Sequence, residues 1–197
     1  MTIATGASHS GWGVVCNGVL SSGLWPSEEQ AMHINWLELS VVLFGVKCFV
    51  YSHNCLVKVF CDNTTAVTYI NNLGGIIPSL HVPQWHLLLI SKSIWGWCFA
   101  HHCMLEAFHI SDGSNLEADL LSRQFNRNLD FKKLYPIMFK WVSQSWFVPD
   151  IDLFASPLNF QTSVYVSWCL GPGAWGVDAF AFCWREFKPY ISPPFSL

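Results

Sequence analysis

The first 25 residues alternate between short apolar runs and turn residues. The runs are rich in β-branched and aromatic residues, and Asn17-Gly18 between two of them is a pair that favours a tight hairpin turn. The pattern predicts three consecutive strands, at Thr2–Ala7, Trp12–Cys16 and Leu20–Trp25.

Longer apolar segments follow, and several have helical spacing. Apolar residues recur every three or four positions in residues 34–50, which is typical of a buried helix. The further predicted elements are a strand at Leu56–Cys61, a helix at Thr64–Asn71, a loop at 73–78, a helix at about 84–97, a strand at Phe99–His109, a loop at 111–115 and a helix at Leu116–Arg123. Three strands followed by alternating helices and strands predict an α/β domain with a mixed sheet and helices packed on it.

The character of the chain changes after Arg123. Residues 124–149 are a polar connector with one amphipathic helix, predicted at Phe131–Ser143. Residues 150–197 are aromatic and rich in Gly and Pro, which predicts a small irregular C-terminal extension. The sequence therefore predicts a domain at residues 1–123, a connector at 124–149 and the extension at 150–197.

The composition excludes some classes of protein. Hydrophobic residues make up 52% of the 197 residues and charged residues only 12%, about half the usual share of about 25%. The chain has 10 Lys and Arg against 13 Asp and Glu, for a net charge of −3, and no basic stripe. These features exclude a disordered chain and a protein that binds nucleic acid by its charge alone. Any contact with nucleic acid is expected to be local or shared with a partner.

The N-terminus has neither the basic start nor the long apolar stretch of a signal peptide. The most apolar segments, residues 39–46 and 86–90, are shorter than the roughly 18 residues that a membrane span needs. We interpret the chain as a soluble intracellular protein of the cytoplasm or nucleus, without a membrane partner.

None of the eight cysteines belongs to a CxxC pair, and most lie in apolar segments. We interpret them as buried thiols rather than a disulfide framework. The segment "CFAHHC" (98–103) suggests zinc, but in a strand its cysteines and histidines would alternate between the two faces and would not converge on one ion.

Three carboxylates stand out from their surroundings. Glu38 lies on the apolar stripe of the 34–50 helix, where an unpaired charge is costly. Asp62 follows a strand directly, and Asp119 lies in the first turn of a helix, so each has a simpler interpretation as a helix-capping acid. Taken together, the three residues suggest a carboxylate cluster of the kind that binds Mg²⁺ or Mn²⁺.

Four blocks, in order, carry a family resemblance. The segments "TGAS…GWG", "WLEL", "CDNTTAVTYIN" and "HISDGSNLEADLLSR" resemble the ribonuclease H domain of DIRS-like, tyrosine-recombinase retrotransposon polyproteins. The resemblance covers residues 1–123. It implies an α/β ribonuclease H-like fold, a five-stranded mixed sheet flanked by helices, and an ancestral activity that hydrolyses the RNA strand of RNA–DNA hybrids. It also implies a reverse transcriptase portion of the parent polyprotein as partner.

The resemblance also implies roles for individual residues. Glu38, Asp62 and Asp119 match metal ligands of a two-metal centre, with Mg²⁺ or Mn²⁺ as cofactor. His109 matches a histidine that assists proton transfer or product release, and the alternative is a strand-end histidine without a role. Asn63 and Asn115 would contact or position the hybrid.

One expected ligand is missing. The family has an aspartate in its first block, "TDAS", whereas this chain has Gly6 at that position. Glycine has no ligand atom, and Ser8 lies about 6–7 Å further along the strand. We therefore predict weakened metal binding and little or no nuclease activity.

The end of the chain carries a fainter resemblance. Its motif matches that of phage-type adenine-N6 DNA methyltransferases, in which the polar residue and a proline carbonyl bind a flipped base and the aromatic residue stacks on it. The residues are Ser192, Pro193, Pro194 and Phe195. The alternatives are a working enzyme, a degenerate remnant and a plain packing extension.

Two other interpretations of residues 1–123 stay open. One is a module that binds nucleic acid or protein without chemistry, although the low charge weakens its nucleic-acid version. The other is a nonfunctional relic of a retrotransposon.

Overall fold

The computed structural model describes residues 1–50, 54–73, 85–123 and 133–193. The chain forms two compact units, residues 1–125 (unit 1) and residues 126–197 (unit 2). Within the described ranges, no helix is both long enough and apolar enough to cross a membrane.

The strands of unit 1 are β1 (Thr2–Ala7), β2 (Gly11–Cys16), β3 (Val19–Leu24), β4 (Cys55–Cys61) and β5 (Cys103–His109). They form one mixed sheet with the strand order β3-β2-β1-β4-β5. The first three strands are antiparallel neighbours, and β2 and β3 are joined at Asn17-Gly18, where both residues have positive φ (50° and 78°) as a tight hairpin requires. Strand β4 pairs in parallel with β1 on one side and β5 on the other.

Helices cover both faces of this sheet. Val14 contacts the position of a Cβ on Gly45 in α2, whereas a Cβ on the neighbouring Gly13 would point into α5. Because neighbouring residues of a strand point to opposite faces, α2 and α5 lie on opposite sides of the sheet. The helices are α1 (Ser27–Gln30), α2 (Ile34–Phe49), α3 (Thr64–Asn71), α4 (Trp85–Ala100) and α5 (Leu116–Arg123). The predicted mixed five-stranded sheet flanked by helices is confirmed.

The largest boundary errors in unit 1 are the end of α4 and the start of β5, and the short helix α1 was not predicted. Strand β5 begins at Cys103 rather than Phe99, because the apolar pattern of α4 continues to Ala100 and His102 turns the chain with a φ of 54°. Cys98 is therefore helical, and the prediction that residues 98–103 alternate between the two faces of a strand is wrong. All eight cysteines lie in the described part of the chain, and none is in a disulfide.

Unit 2 contains more regular structure than the irregular extension that the sequence predicts. Helix α6 (Pro136–Ser145) begins with Pro136 at its first position, a place that suits proline, rather than at Phe131, which lies outside the described residues. A parallel sheet of short strands follows, in the order β8-β7-β6-β9, over a small core of Ile151, Leu153, Val166 and Ala179. The strands are β6 (Ile151–Ala155), β7 (Tyr165–Ser167), β8 (Gly176–Val177) and β9 (Pro189–Tyr190).

Candidate metal centre

The carboxyl end of β4 is where the chain passes from strand to helix. β4 ends at Cys61, Asp62 lies in the bend, and Asn63 caps helix α3 by accepting a 2.9 Å hydrogen bond from the Ala66 N–H. Because β1, β4 and β5 are parallel neighbours, their carboxyl ends meet at one edge of the sheet. Asp62 is thereby held at the edge where open α/β sheets usually carry their sites.

Glu38 reaches the same edge from α2. Its side chain is only 4% exposed. One carboxylate oxygen accepts a 3.2 Å hydrogen bond from the Ala7 N–H at the end of β1, and the other lies 3.7 Å from the Cys61 thiol. Glu38 therefore connects the first long helix to the ends of two neighbouring strands.

Glu38, Cys61 and Asp62 form a compact group of potential ligands. One ligand atom from each lies within 4.8 Å of the others. Burial raises the pKa of Glu38 to about 8, with smaller contributions from the charges of Asp62 and Asp119. Burial and the Glu38 charge likewise raise the pKa of the Cys61 thiol. The site therefore favours the neutral forms of Glu38 and Cys61, because the protein supplies little solvation for negative charge there.

Asp119 lies near this group but outside it. Its Oδ1 accepts hydrogen bonds from Nε and Nη2 of Arg123, one helical turn further along α5, each at 2.8 Å. Asp119 is close enough to contribute to the raised pKa of Glu38, yet its ligand atoms do not join the group within 4.8 Å. Its charge is balanced within its own helix.

The position of the missing aspartate is filled by helix backbone. A Cβ on Gly6 would lie 3.0 Å from the Ala118 carbonyl group and 3.1 Å from the Asp119 amide nitrogen. Gly13, the register partner of Gly6 in β2, is packed more tightly still, with a hypothetical Cβ only 2.5 Å from the Ala118 carbonyl oxygen. Helix α5 therefore lies directly on two glycines.

These positions decide how well a pair of Mg²⁺ or Mn²⁺ ions fits the residues present. Gly6 offers no side-chain oxygen, and Asp119 is paired with Arg123. The residues present therefore do not supply the oxygen ligands that two such ions require. The group of Glu38, Cys61 and Asp62 suits a single ion.

The other predicted site residues have diverse environments. His109 ends β5 opposite Cys61 and is exposed. Asn63 is committed to its cap and to a 2.9 Å hydrogen bond with the Asn35 side chain. Asn115 is 2% exposed and donates a 2.9 Å hydrogen bond to the Thr5 carbonyl group, so it ties the start of α5 to β1.

Two residues of this region, Cys61 and Arg123, had no predicted role in the site. Cys61 was interpreted only as a buried thiol, although its place beside Asp62 was a signal for a mixed site. Arg123 was noted only as the end of a helix, and its signal was the four-residue spacing from Asp119, which brings opposite charges together on a helix.

In unit 2, Ser192 lines a small cavity together with the buried Asp152. Burial raises the pKa of Asp152, while hydrogen bonds from the Gln161 and Phe154 N–H groups oppose that effect. Pro193 is exposed. Pro194 and Phe195, the rest of the predicted motif, lie outside the described residues.

Comparisons with known proteins found similar solved structures. No protein-family model matches the sequence. No curated protein matches it. One similar solved structure is RNase H1 from the halophilic archaeon Halobacterium salinarum NRC-1, with 9% identity and a TM-score of 0.45 over 61% of this chain and 90% of that chain. Another is the N-terminal RNase H domain of rv2228c from Mycobacterium tuberculosis, solved as a fusion with maltose binding protein, with 12% identity and a TM-score of 0.36 over 61% of this chain and 95% of that chain.

The strand order and the helices on both faces of the sheet define the fold of unit 1. They fit the α/β ribonuclease H-like fold.

Proposed function

We propose that unit 1 is a ribonuclease H-type domain, derived from a DIRS-like retroelement, whose hydrolysis of the RNA strand in RNA–DNA hybrids is weak or absent. The observation that carries the proposal is the meeting of Glu38 and Asp62 at the carboxyl edge of the sheet, beside Gly6. Two carboxylates of the expected set lie together. Gly6, which lies in β1 beneath α5 at the position of the missing aspartate, has no side chain.

The remaining residues would have supporting roles in this proposal. Asp119 would be a third ligand after a movement towards the group, with Arg123 held on its Oδ1, and the exposed His109 would be available to move a proton near the leaving group. Asn63 and Asn115 would act by holding the Asp62 bend and helix α5 in position, since both side chains are used in internal hydrogen bonds.

Binding of a hybrid by this chain alone is expected to be weak. With 10 Lys and Arg in 197 residues and a net charge of −3, few cations are available to replace the counterions of the phosphate backbone. A reverse transcriptase portion of the parent polyprotein would supply the missing contacts.

The test is restoration of the missing carboxylate. In Mg²⁺ or Mn²⁺, we expect the Gly6→Asp variant to cleave a labelled RNA–DNA hybrid faster than the wild type. Gly6→Asn is the matched control, because it places the same volume against Ala118 without the charge, and it should not gain activity. The two variants should have similar melting temperatures, since both require α5 to move by a few tenths of an ångström.

Measurable cleavage by the wild type at the rate of Gly6→Asp would overturn the statement that the centre is impaired, and no cleavage by either protein would contradict the assignment of Gly6 as the missing ligand position. An active Gly6→Asn variant would show that any gain comes from the shift of α5 rather than from a new ligand.

The Asp119–Arg123 pair favours a second candidate function, a binding module without chemistry. An aspartate that is already neutralised by its own helix is less available to a metal ion. Fluorescence anisotropy of a labelled hybrid, measured with Mg²⁺ and with chelator, tests this function. A module that only binds should give the same affinity in both conditions, and a chain with no affinity at all would agree with a relic.

For unit 2, we infer a degenerate remnant of a methyltransferase-like segment. Its support is that Ser192 lines the same cavity as the buried Asp152. We expect no transfer of an isotope-labelled methyl group from S-adenosylmethionine to DNA, and measurable transfer would contradict the inference.

A further inference from the structure

We propose that Glu38, Cys61 and Asp62 form a site for one thiophilic divalent cation of the zinc class, instead of a pair of Mg²⁺ ions. The proposal shares its site with the proposed nuclease but does not depend on hydrolysis. The residues present do not complete a centre for two ions, and they include a sulfur ligand, Cys61.

The spacing of the ligand atoms suits tetrahedral coordination. Zinc–sulfur and zinc–oxygen distances of about 2.3 and 2.0 Å, at a tetrahedral angle, place the two ligand atoms about 3.5 Å apart. The Cys61 Sγ and the Glu38 Oε2 are 3.7 Å apart, and the Asp62 ligand atom lies within 4.8 Å of both. Only small side-chain movements are needed to close the three around an ion.

The chemistry of the ligands decides between classes of cation. Mg²⁺ requires near-octahedral oxygen ligands, and sulfur is not among them. A thiolate beside carboxylates instead favours zinc and similar ions, which accept sulfur and oxygen in one shell. Cys61 is 0% exposed and Glu38 is 4% exposed, so these two ligands are held by the core while the half-buried Asp62 closes the site from outside.

Glu38 is also the buried side chain whose ionised form a bound cation would stabilise most. Its carboxylate is buried, and its hydrogen-bond donors are one backbone N–H and one thiol. Among the described residues, Asp119 and Arg123 form an ion pair, whereas Glu38 forms no ion pair. A buried carboxylate is costly without an opposite charge, and a bound ion would supply one.

Binding must also balance its protons. The ion forms a bond to the Cys61 sulfur as the S–H bond breaks, and below about pH 8 the Glu38 carboxyl group also loses its proton; both protons pass to the buffer. No electron is transferred, and Glu38 and Asp62 bind as carboxylates.

The experiment uses the full chain, reduced and stripped of metal with a chelator. Co²⁺ is the probe, because a sulfur-to-cobalt charge-transfer band reports directly on a thiolate ligand. We expect the band to saturate at one equivalent, and Zn²⁺ to displace Co²⁺ at concentrations about tenfold or more below those of Mn²⁺. Mg²⁺ is expected not to displace it.

Two variants test the ligands Cys61 and Asp62, and a third, Cys103→Ser, is the control. Cys61→Ser should abolish the band, whereas Cys103→Ser, which removes another buried strand thiol, should retain it. Asp62→Asn changes a half-buried residue and should weaken Co²⁺ binding about tenfold or more, so the proposal stays testable if Cys61→Ser fails to fold.

A band that survives Cys61→Ser, or that disappears in Cys103→Ser, would overturn the proposal, as would tighter binding of Mg²⁺ than of Zn²⁺. Hybrid cleavage in Mg²⁺ is a separate measurement. Failure of zinc-class binding with restored cleavage in Gly6→Asp would leave the nuclease proposal intact, and the reverse result would leave the metal site intact.

Discussion

At the scale of single residues, the charge of Glu38 links the stability of unit 1 to pH. Burial raises the pKa of this carboxyl group from 4.5 to about 8 in the folded, metal-free protein. Between these two values the folded state holds a proton that the unfolded state releases. The contribution of Glu38 to the free energy of unfolding is therefore complete below about pH 4.5 and is lost as the pH rises through about 8.

We accordingly expect the free energy of unfolding in chelator to fall between pH 5 and pH 8.5 by a few kcal/mol, since one pKa unit corresponds to about 1.4 kcal/mol. Urea unfolding at several pH values measures the slope. Glu38→Gln should flatten it, while Glu117→Gln, at an exposed position, should not. Parallel slopes for the wild type and Glu38→Gln would contradict the assignment.

Asn115 is a second residue whose effect is local and measurable. Its buried side chain donates to the Thr5 carbonyl group and thereby attaches the start of α5 to β1. Asn115→Ala is expected to lower the free energy of unfolding by about 1–3 kcal/mol, because a buried hydrogen bond is lost.

The control for this change is Asn72→Ala. The Asn72 side chain is exposed and donates a hydrogen bond of the same 2.9 Å length to Thr68 within its own helical turn. We expect a cost of about 0.5 kcal/mol or less there, as is usual for surface substitutions. Denaturant midpoints of the two variants compare the sites, and equal costs would show that Asn115 has no special role.

At the scale of elements, helix α5 is positioned by the absence of side chains beneath it. Gly6 and Gly13 face each other in β1 and β2, and the Ala118 backbone lies over both. This close approach sets the place of Asp119 and brings the Ser8 hydroxyl to the Ser122 carbonyl oxygen at 2.5 Å. Gly6, which lacks the side chain of the expected ligand, therefore also allows α5 to pack closely on the sheet.

Alanine at two glycines should have opposite effects. Gly13→Ala places a Cβ 2.5 Å from backbone and side-chain atoms of α5 and is expected to destabilise the fold by about 1–3 kcal/mol. Gly96→Ala, inside α4 with no atom within 4 Å, is expected to stabilise it by about 0.5–1 kcal/mol through helix propensity. Thermal melting of both variants is the measurement, and a neutral Gly13→Ala would contradict the close packing of α5.

The elements also show how far local patterns reach. The hairpin at Asn17-Gly18, the buried helix from Ile34 and the seam at Asp62 follow from turn chemistry and hydrophobic periodicity, and the structure has them. The start of β5 was wrong by four residues because "CFAHHC" has no proline or glycine to end α4. In unit 2, the two- and three-residue strands are too short to give an alternating pattern.

At the scale of the whole molecule, the chain divides its apolar residues between two separate cores. Unit 1 buries large side chains completely, among them Trp25, Leu37 and Ile94. The core of unit 2 consists of four small or medium residues with partly buried aromatic residues around them. A small core of this kind gives little stability by itself.

We therefore expect residues 1–125 alone to unfold in one cooperative transition and to bind one equivalent of Co²⁺, as the full chain does. Residues 126–197 alone should unfold at lower denaturant concentration and over a broader range. Circular dichroism during urea unfolding tests both fragments. A fragment of residues 1–125 without a cooperative transition would show that its core depends on the rest of the chain.

The sequence by itself determined the order of the strands and the main helices of unit 1 and the acid that directly follows β4, because strand and helix periodicity and turn chemistry act over a few residues. Only the tertiary structure decided what surrounds that acid. The 3.7 Å approach of Cys61 to Glu38 joins residues 23 positions apart, and the hydrogen bond between Asn115 and Thr5 joins residues 110 positions apart. Such distances result from helices packing on a sheet, and no local pattern encodes them.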